Sequence, residues 1–464
     1  MREKLEKYIY DNKDNIISSL MELVKIPSIV TTGDDEFPCG KEVFNALLKV
    51  KELFEESGFS MEINKKDSYA LHRTNEKETS IGIFTHADVV PVNDDWIYTK
   101  PFEPKEINGK LFGRGIEDNK SGVIGALFAL KALRECGFDL KSDMCVFVGG
   151  CEEIGMADIE GFSKNEKAPT VSLVPDSEFP VSYGEKGIIR MAVQSLDKLS
   201  SVIAFDGGLA FNVVLDNVLV KLKYDDMLFS EIKEKREDAT TDGEVITLSF
   251  KGIPKHAAMP EGSENAAFRA AEFLCSLKNI PESDKKILKC VYDMCEKYYG
   301  EALGISAVDE FGKLTCATGI TSVKEGKMYF TFDVRYGESR CGEEILKIAK
   351  NTVSKYGYEV VLFEDMPGFL NDKSSEVTQA IIKTYREFTG DLKAEAYTSG
   401  GGTYARHVKN AYAIGTTLVK GKEGLDLPKG HGDIHESDEC LDIDGFLKAI
   451  TLLAITIYNL DKAL

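Results

Sequence analysis

The feature that most constrains this chain is an alternation of short apolar runs with a helix-like run. Residues Ile81–Thr85, Met144–Gly149 and Thr170–Val174 are rich in β-branched residues, which predicts buried strands. Between the first two lies Ser121–Cys136, with apolar residues at helical spacing and Gly137 just past its end as a C-cap. Strands that alternate with helices predict an α/β layer fold.

Side chains that can bind metal stand at the ends of these predicted elements. Three runs are each followed by acidic or histidine residues, and a further aspartate immediately precedes the helix. These residues are His86, Asp88, Asp118, Glu152, Glu153 and Asp176. Because the carboxyl ends of strands form the usual ligand crevice of an open α/β sheet, four segments should deliver ligand-type residues to one edge.

The residue types at this edge suit paired zinc ions. Histidine nitrogens and carboxylate oxygens are good zinc ligands, and one carboxylate can bridge two metals. His86 and Asp88 are two residues apart on an extended segment and project the same way, so Asp88 can orient a metal-bound His86. The side chains of Glu152 and Glu153 diverge, so that one can bind metal while the other takes a proton from the attacking water.

The 464 residues exceed one ordinary core, which predicts two domains. The pattern changes near Gly187. A strand-like run, Val245–Phe250, leads to His256 and a helix-like run from about 265 to 277. Later, Met328–Val334, a helix from about 342 to 355 and Glu359–Phe363 form a β-α-β sequence, which indicates a second α/β domain.

Charge and composition restrict the partners and the compartment. The net charge of −20 disfavours nucleic acid and anionic membrane surfaces as partners. The first 20 residues carry charges throughout and lack the apolar core of a signal peptide. The apolar stretch Phe446–Leu460 is interrupted by Lys448 and is interpreted as a buried amphipathic helix too short to span a bilayer. We therefore expect a cytoplasmic protein.

The ten cysteines are scattered along the chain without a CxxC pair. In a cytoplasmic protein this pattern predicts reduced thiols rather than a disulfide framework or a cysteine zinc site.

In their order along the chain, the motifs resemble a known family. The sequences THADVVP, GRGIEDNKSG, CEEIGMADIEGF and PDSEFPVSYGEKG, followed by GIPKHAAMPEGSENAA, DVRYGES, SGGGTYAR and HESDE, are similar to those of the di-zinc metallopeptidases that include aminoacylases, desuccinylases and carnosinases. Among these, the chain most resembles the peptidase V-like dipeptidases. The resemblance covers nearly the whole chain and implies a two-domain α/β fold, in which an α+β, ferredoxin-like lid domain (187–366) is inserted into a zinc-peptidase catalytic domain (1–186 and 367–464).

The resemblance also implies a ligand set. Asp118 would bridge two zinc ions, for which cobalt or manganese can substitute. His86 and Asp176 would complete one site, and Glu153 and His435 the other. Glu152 would be the general base, and Asp88 would orient His86.

The implied substrate contacts lie on the lid and on a glycine-rich loop. His256 would donate to the carbonyl oxygen as it gains charge, and Arg335 would bind the substrate's C-terminal carboxylate. Asn212 resembles the lid asparagine of the family. Gly400, Gly401 and Gly402 resemble the loop that lets backbone amides approach the substrate.

Some positions depart from the family pattern. Ser121 stands where the family has glycine, and Ile116 and Glu117 replace smaller residues before the bridging aspartate. These changes keep every ligand but can alter the fit or speed of the site. His431 is four residues from His435 and is a rival ligand.

Residues outside the motifs receive ordinary roles. His72 and His407 are expected to have polar or capping roles, and the single tryptophan, Trp96, is expected to pack in the core. The bare glycine run lacks the Gly-Lys-Ser/Thr ending of a phosphate loop, and the chain has no nucleophile-elbow sequence for Ser/His/Asp catalysis.

The sequence thus predicts a zinc-dependent hydrolase of short peptides, most specifically a dipeptidase. One alternative is an N-acyl amino acid deacylase or succinyl-diaminopimelate desuccinylase, and a second is a catalytically silent metal-binding protein. Glu152 disfavours the second, because a protein that only binds metal does not need a general base. In the family that the chain resembles, members with a small lid tend to dimerise through it, whereas the longer lid here predicts a monomer in which His256 acts within its own chain.

Overall fold

The strand-like and helix-like runs of the sequence appear in the computed structural model, which describes residues 1–75 and 80–464. The first predicted strand extends one residue further, over Ile81–His86, and Met144–Gly149 is a strand over its predicted length. The third begins and ends later, over Val171–Ser177. The predicted helix spans Lys120–Glu135, and Gly137 follows it at a φ of +71°.

The helices, in chain order, are α1 (Arg2–Asp11), α2 (Lys13–Val24), α3 (Lys41–Glu56), α4 (Lys120–Glu135), α5 (Ala157–Asn165), α6 (Asp226–Lys235), α7 (Ala266–Ser276), α8 (Glu282–Cys295), α9 (Gly342–Ser354), α10 (Glu376–Thr389) and α11 (Ile443–Ala463). The strands are β1 (Glu62–Asn64), β2 (Tyr69–Arg73), β3 (Ile81–His86), β4 (Lys105–Ile107), β5 (Lys110–Phe112), β6 (Met144–Gly149), β7 (Val171–Ser177), β8 (Ser182–Glu185), β9 (Gly187–Ser195), β10 (Val202–Asp206), β11 (Asn217–Lys223), β12 (Thr240–Thr241), β13 (Val245–Lys251), β14 (Val308–Asp309), β15 (Gly312–Lys313), β16 (Thr315–Ala317), β17 (Thr321–Lys324), β18 (Lys327–Tyr336), β19 (Tyr358–Met366), β20 (Phe369–Leu370), β21 (Tyr397–Ser399), β22 (Ala411–Gly415) and β23 (Cys440–Asp442).

The chain divides into two units by the density of its internal contacts. The first unit comprises 1–184, 371–397 and 403–464, and the second comprises 185–370 and 398–402. The mixed α/β architecture confirms the predicted fold class. The exact bounds of the catalytic and lid domains, at 186/187 and 366/367, stay predictions.

In the first unit, strands β2, β6, β3, β7 and β22 are neighbours in that order. Strand β3 runs parallel to both β6 and β7, so the three carboxyl ends lie at one edge of the sheet. Every residue of β3 and β6 is buried, because helices on the sheet's faces exclude water from parallel strands. A smaller sheet, β23-β5-β4, brings the segment after His435 beside the chain that leads to Asp118.

Helix α11 lies in the core of the first unit. By length and composition alone it could cross a membrane, but most of it is buried, and it contacts α1, α4 and α10. The prediction of a buried helix is confirmed. The prediction that the stretch is too short to span a bilayer is wrong, because the helix extends beyond the apolar run at both ends, to Ile443 and Ala463.

The second unit contains two larger sheets, β10-β11-β13-β12 and β16-β18-β9-β19, with β17 beside β18. Strands β18 and β19 both pair antiparallel with β9, so they run parallel to each other with β9 between them. The predicted β-α-β sequence is therefore a split β-α-β unit through α9. Helices α7 and α8 contribute Leu274, Leu288 and Val291 to the core of this unit.

The prediction that all ten cysteines are free thiols is wrong for two of them. Cys39 and Cys151 form a disulfide bond with their Cα atoms 6.3 Å apart, although 112 residues separate them in sequence. The fold brings the segment before α3 to the turn after β6, and no spacing rule in the sequence could show this. The other eight cysteines form no disulfide within 1–75 and 80–464.

Candidate metal centre

The sheet edge collects ligand-type side chains from separate segments of the first unit. His86 is the last residue of β3, Asp176 lies near the end of β7, and Glu153 follows β6. Asp118 stands in the connection between β5 and α4, and His435 stands in the loop before β23. The five residues that the sequence analysis singled out as ligands are therefore brought together.

Asp118 lies between the two histidines. Its Oδ1 is 3.1 Å from Nε2 of His86, and its Oδ2 is 3.0 Å from Nε2 of His435. Asp176 Oδ2 lies 3.6 Å from Nε2 of His86, and Glu153 Oε1 lies 3.4 Å from Nε2 of His435. The two oxygens of one carboxylate thus face two separate groups of donors.

The donor atoms of each group are close enough to surround one cation. In the group of His86, Asp118 and Asp176, one atom from each residue lies within 4.8 Å of the others, and the same holds for Asp118, Glu153 and His435. Nε2 of His86 and Oε1 of Glu153 are buried and have no hydrogen-bond partner within the described chain. Buried polar atoms without partners are costly, so these fit a bound cation.

The charge of the cluster also favours a cation. Five carboxylates, those of Asp88, Asp118, Glu152, Glu153 and Asp176, surround only two histidines. Burial raises the pKa of Asp176 to about 7, with the charge of Asp118 adding to the rise, and burial also raises the pKa of Glu152 well above its usual range. Although burial opposes it, the adjacent rings of His435 and His86 lower the pKa of Asp118. Divalent cations would compensate this negative charge.

Asp88 contacts both the histidine and the turn that carries the two glutamates. Nδ1 of His86 lies 3.0 Å from the backbone carbonyl oxygen of Asp88 and 3.4 Å from its Oδ1. The same carboxylate accepts hydrogen bonds from the amides of Glu152 at 3.2 Å and Glu153 at 3.1 Å. The second contact was not predicted, because a backbone amide carries no signature in the sequence.

Glu439 was also missed as a residue of the site. Its fully buried carboxylate accepts hydrogen bonds from the amides of Gly115, Glu117 and Asp118 and from the guanidinium of Arg114 at 2.7 Å. It therefore fixes the backbone that carries Asp118. Its position four residues after His435 was the only signal in the sequence.

His431, the rival ligand, contacts a different carboxylate, that of Asp438. Its Nδ1 is 2.7 Å from Oδ2 of Asp438, and that carboxylate also accepts hydrogen bonds from the amides of Ile97 and Tyr98. Neither group of candidate ligands in the described residues includes His431. The buried ring of His72 has its Nδ1 2.6 Å from the carbonyl oxygen of Ser60, which is an ordinary polar contact.

The residues that depart from the family pattern lie in or beside the connection between β5 and α4, which carries Asp118. The hydroxyl of Ser121 donates to the carbonyl oxygen of Glu117 at 2.6 Å, and the side chain of Ile116 is fully buried. Burial, with the charges of Glu439 and Asp118, raises the pKa of Glu117 to about 8. Asn119 donates to Oδ1 of Asp176 at 2.7 Å.

In the second unit, His256 and Asn212 lie on paired segments. The amide of Ala257 donates to the carbonyl oxygen of Asn212 at 2.8 Å, and Val213 forms a β-bridge with His256. The amide of Ala258 donates to Nδ1 of the exposed His256 ring at 3.2 Å. A nitrogen that accepts a hydrogen bond carries no proton, so the neutral ring has its proton on Nε2 and can donate from there.

Arg335 is buried and held by Asp333. Its Nε and one terminal nitrogen donate to the two oxygens of Asp333, at 2.5 and 3.0 Å, and its other terminal nitrogen donates to the carbonyl oxygen of Gly400 at 3.2 Å. Within residues 1–75 and 80–464 these contacts leave two of the five guanidinium hydrogens, one on each terminal nitrogen, for another acceptor. A Cβ on Gly400 would lie 3.1 Å from Cβ of Ala258, so this glycine allows a close approach to the His256 segment.

Comparison with known proteins identifies the family of the chain. The profile of "Peptidase family M20/M25/M40" matches residues 82–459. A protein of Staphylococcus aureus strain MRSA252 named "Putative dipeptidase" is 29% identical, and the match covers 99% of each chain.

Two solved structures show the fold. The di-peptidase Dug1p of Saccharomyces cerevisiae is 14% identical, with a TM-score of 0.61 over 100% of this chain and 99% of that chain. Human carnosine dipeptidase 1 is also 14% identical, with a TM-score of 0.58 over the whole of both chains. At these identities the likeness concerns the fold alone, and it confirms the predicted two-domain α/β class.

Proposed function

The chain belongs to peptidase family M20/M25/M40, whose members are metal-dependent peptidases, and on that premise we propose that it is a di-zinc dipeptidase. The relatives named as dipeptidases over 99% of this chain support the dipeptide as substrate. The observation that carries the proposal is the placement of Asp118, whose two carboxylate oxygens face His86 and His435.

In this proposal five residues hold two zinc ions. His86, Asp118 and Asp176 would hold one ion, and Asp118, Glu153 and His435 would hold the other. The orphaned polar atoms of His86 and Glu153 and the excess of carboxylates over histidines support this assignment. When bound, zinc lowers the pKa of coordinated water toward 7 and polarises the substrate carbonyl.

Glu152 would be the general base. It is 8% exposed and adjoins Glu153, so it can accept a proton from the attacking water and pass it to the leaving amine. The carboxylate of Asp88, bound to the amides of both glutamates, holds the base and the ligand in a fixed relation.

The second unit would supply the substrate contacts. The N–H of His256 at Nε2 would donate to the carbonyl oxygen as negative charge develops there. Arg335 would bind the substrate's C-terminal carboxylate through the hydrogens that Asp333 and Gly400 leave available, and its rigid hold by Asp333 supports this role because a fixed fork loses little entropy on binding. Asn212, Gly400, Gly401 and Gly402 would line the same site.

Substrate turnover tests the proposal. A panel of dipeptides, a tetrapeptide, N-acetyl amino acids and N-succinyl-diaminopimelate should show fastest hydrolysis of dipeptides. Protein with Glu152→Gln, purified identically, controls for contaminating peptidases. Faster cleavage of the acyl substrates would instead identify a deacylase or desuccinylase, and metal binding without turnover of any substrate would identify a silent metal-binding protein.

The proposal includes a monomeric, cytoplasmic enzyme. The length of the inserted segment supports the monomer, because a larger lid can supply within one chain what a partner subunit would otherwise contribute. The disulfide of Cys39 and Cys151 tests the compartment, because structural disulfides are rare in a reducing cytoplasm. Alkylation of thiols in intact cells, followed by mass spectrometry, measures the state of this pair.

A further inference from the structure

The turn that carries the two glutamates is held by two buried carboxylates. Four consecutive amides, from Gly150 to Glu153, donate hydrogen bonds to them. The amides of Gly150 and Cys151 donate to Oδ2 of Asp158 at 2.7 and 2.8 Å. The next two amides donate to Asp88, as described above. Asp88 belongs to the site already, but no role in the reaction has so far been given to Asp158.

Asp158 also joins this turn to the segment after the glycine run. Its Oδ2 accepts a third hydrogen bond, from the hydroxyl of Tyr404 at 2.6 Å, and its Oδ1 accepts one from the amide of Ile159 at 2.8 Å. Asp158 is 1% exposed and Tyr404 is fully buried. A Cβ on Gly149 would lie 1.9 Å from the Tyr404 hydroxyl and 2.3 Å from Oδ2 of Asp158, so the last residue of β6 must be glycine for the pair to fit.

The ring of Tyr404 reaches the metal-ligand side of the same turn. It packs edge-on against the ring of His86, with centroids 6.3 Å apart, and against Phe147 of β6, with centroids 5.3 Å apart. One side chain therefore contacts a candidate ligand through its ring and the support of the glutamate turn through its hydroxyl.

We propose that Asp158 and Tyr404 are positioning residues that hold Glu152 where it can take the proton from the attacking water. This inference rests on the proposed function of Glu152. A general base must lie within hydrogen-bond reach of its proton, and a displacement of about 1 Å costs ~10²-fold in rate. The two amides bound by Asp158 immediately precede Glu152, so loss of these bonds would let the base move without removing any ligand.

Two variants test the proposal. Asp158→Asn removes the charge while keeping the shape, and Tyr404→Phe removes only the hydroxyl. Each should lower kcat by ~10- to 100-fold with little change in KM or zinc content. Asp461→Asn is the matched control, because Asp461 is also buried and accepts hydrogen bonds from two consecutive amides, those of Lys141 and Ser142, but lies on α11. It should leave kcat unchanged.

The same substitutions in the Glu152→Gln protein separate positioning from a structural role. If Asp158 and Tyr404 act through the base, they should cause no further loss of the residual activity once the base is absent. An equal loss in both backgrounds, or no loss in the wild-type background, would overturn the inference and leave the dipeptidase proposal intact. Full turnover by Glu152→Gln alone would overturn the general-base assignment and this inference together. If Asp158→Asn does not fold, as circular dichroism would show, the Tyr404→Phe results decide.

Discussion

Oδ2 of Asp118 lies 3.0 Å from Nε2 of His435, although the two residues belong to distant parts of the sequence. The contact joins the connection before α4 to the loop before β23, and Glu439 holds both segments through the amide of Asp118. The second group of candidate ligands exists only because these segments meet.

Replacement of Asp118 should disturb both metal sites together. The purified protein should contain close to two zinc equivalents and lose activity with a chelator, and Asp118→Asn should weaken the binding of both ions because each would lose a charged ligand. Elemental analysis measures the zinc content of the wild-type protein and of the variant. His431→Ala, four residues from a proposed ligand, is the control and should retain both ions. Active protein with only trace metal would refute the mechanism.

Glu152 and Glu153 should separate into base and ligand. Glu152→Gln should keep its zinc but lose ~10²–10⁴-fold in kcat, since general-base assistance has this size. Glu153→Gln should lose zinc first. Parallel measurements of turnover and metal content distinguish the two, and the reverse pattern would exchange the roles.

Arg335 should determine the requirement for a free carboxylate. Arg335→Lys should raise KM for dipeptides by ~10- to 100-fold, because one end-on charge replaces a planar fork and a charged hydrogen bond contributes about 1.5–3 kcal/mol. Arg236→Lys is the control, because Arg236 also forms a bidentate pair with an aspartate two residues away, the exposed Asp238, and neither residue belongs to the proposed site. Equal hydrolysis of C-terminally amidated dipeptides would exclude Arg335 from this role.

His256 should act within its own chain. His256→Ala should lower kcat by ~10²–10³-fold, the usual effect of losing a donor to the developing oxyanion. Light scattering at assay concentrations should give the mass of one chain. A mixture of His256→Ala with Glu152→Gln should regain no activity, whereas recovered turnover would indicate that two subunits share a site.

His72 should make the stability of the fold depend on pH. Burial lowers the pKa of this ring, which lies 5% exposed between Phe54 and Phe59. In the unfolded chain the histidine has a pKa of about 6.5 and binds the proton more readily. The contribution of the neutral ring to the free energy of unfolding is therefore complete above that pH and is lost as the pH falls below it. Urea midpoints between pH 7.5 and 5.5 should fall less steeply for His72→Gln than for the wild-type protein. Parallel slopes would contradict the prediction.

Local patterns were enough to predict the elements and the ligand-type residues. Strands β3 and β6 are continuous apolar runs because both of their faces are buried. The two strands are parallel and end at the same edge of the sheet, so the residues that follow them had to lie near one another. His256 and Arg335 were found through motifs rather than through periodicity. Their hydrogen bonds to the amide of Ala258 and to Asp333 became visible only in the structure.

Residue type and periodicity are properties of short segments, so the sequence by itself determined the α/β class, the family and the side chains available for metal. The tertiary structure decided which of them meet. The disulfide of Cys39 and Cys151 and the support of Asp118 by Glu439 join segments far apart along the chain. The hold of Asp158 on the glutamate turn spans only seven or eight residues. In the last two, the partner is a backbone amide, which every residue except proline carries, so no residue pattern could have predicted it.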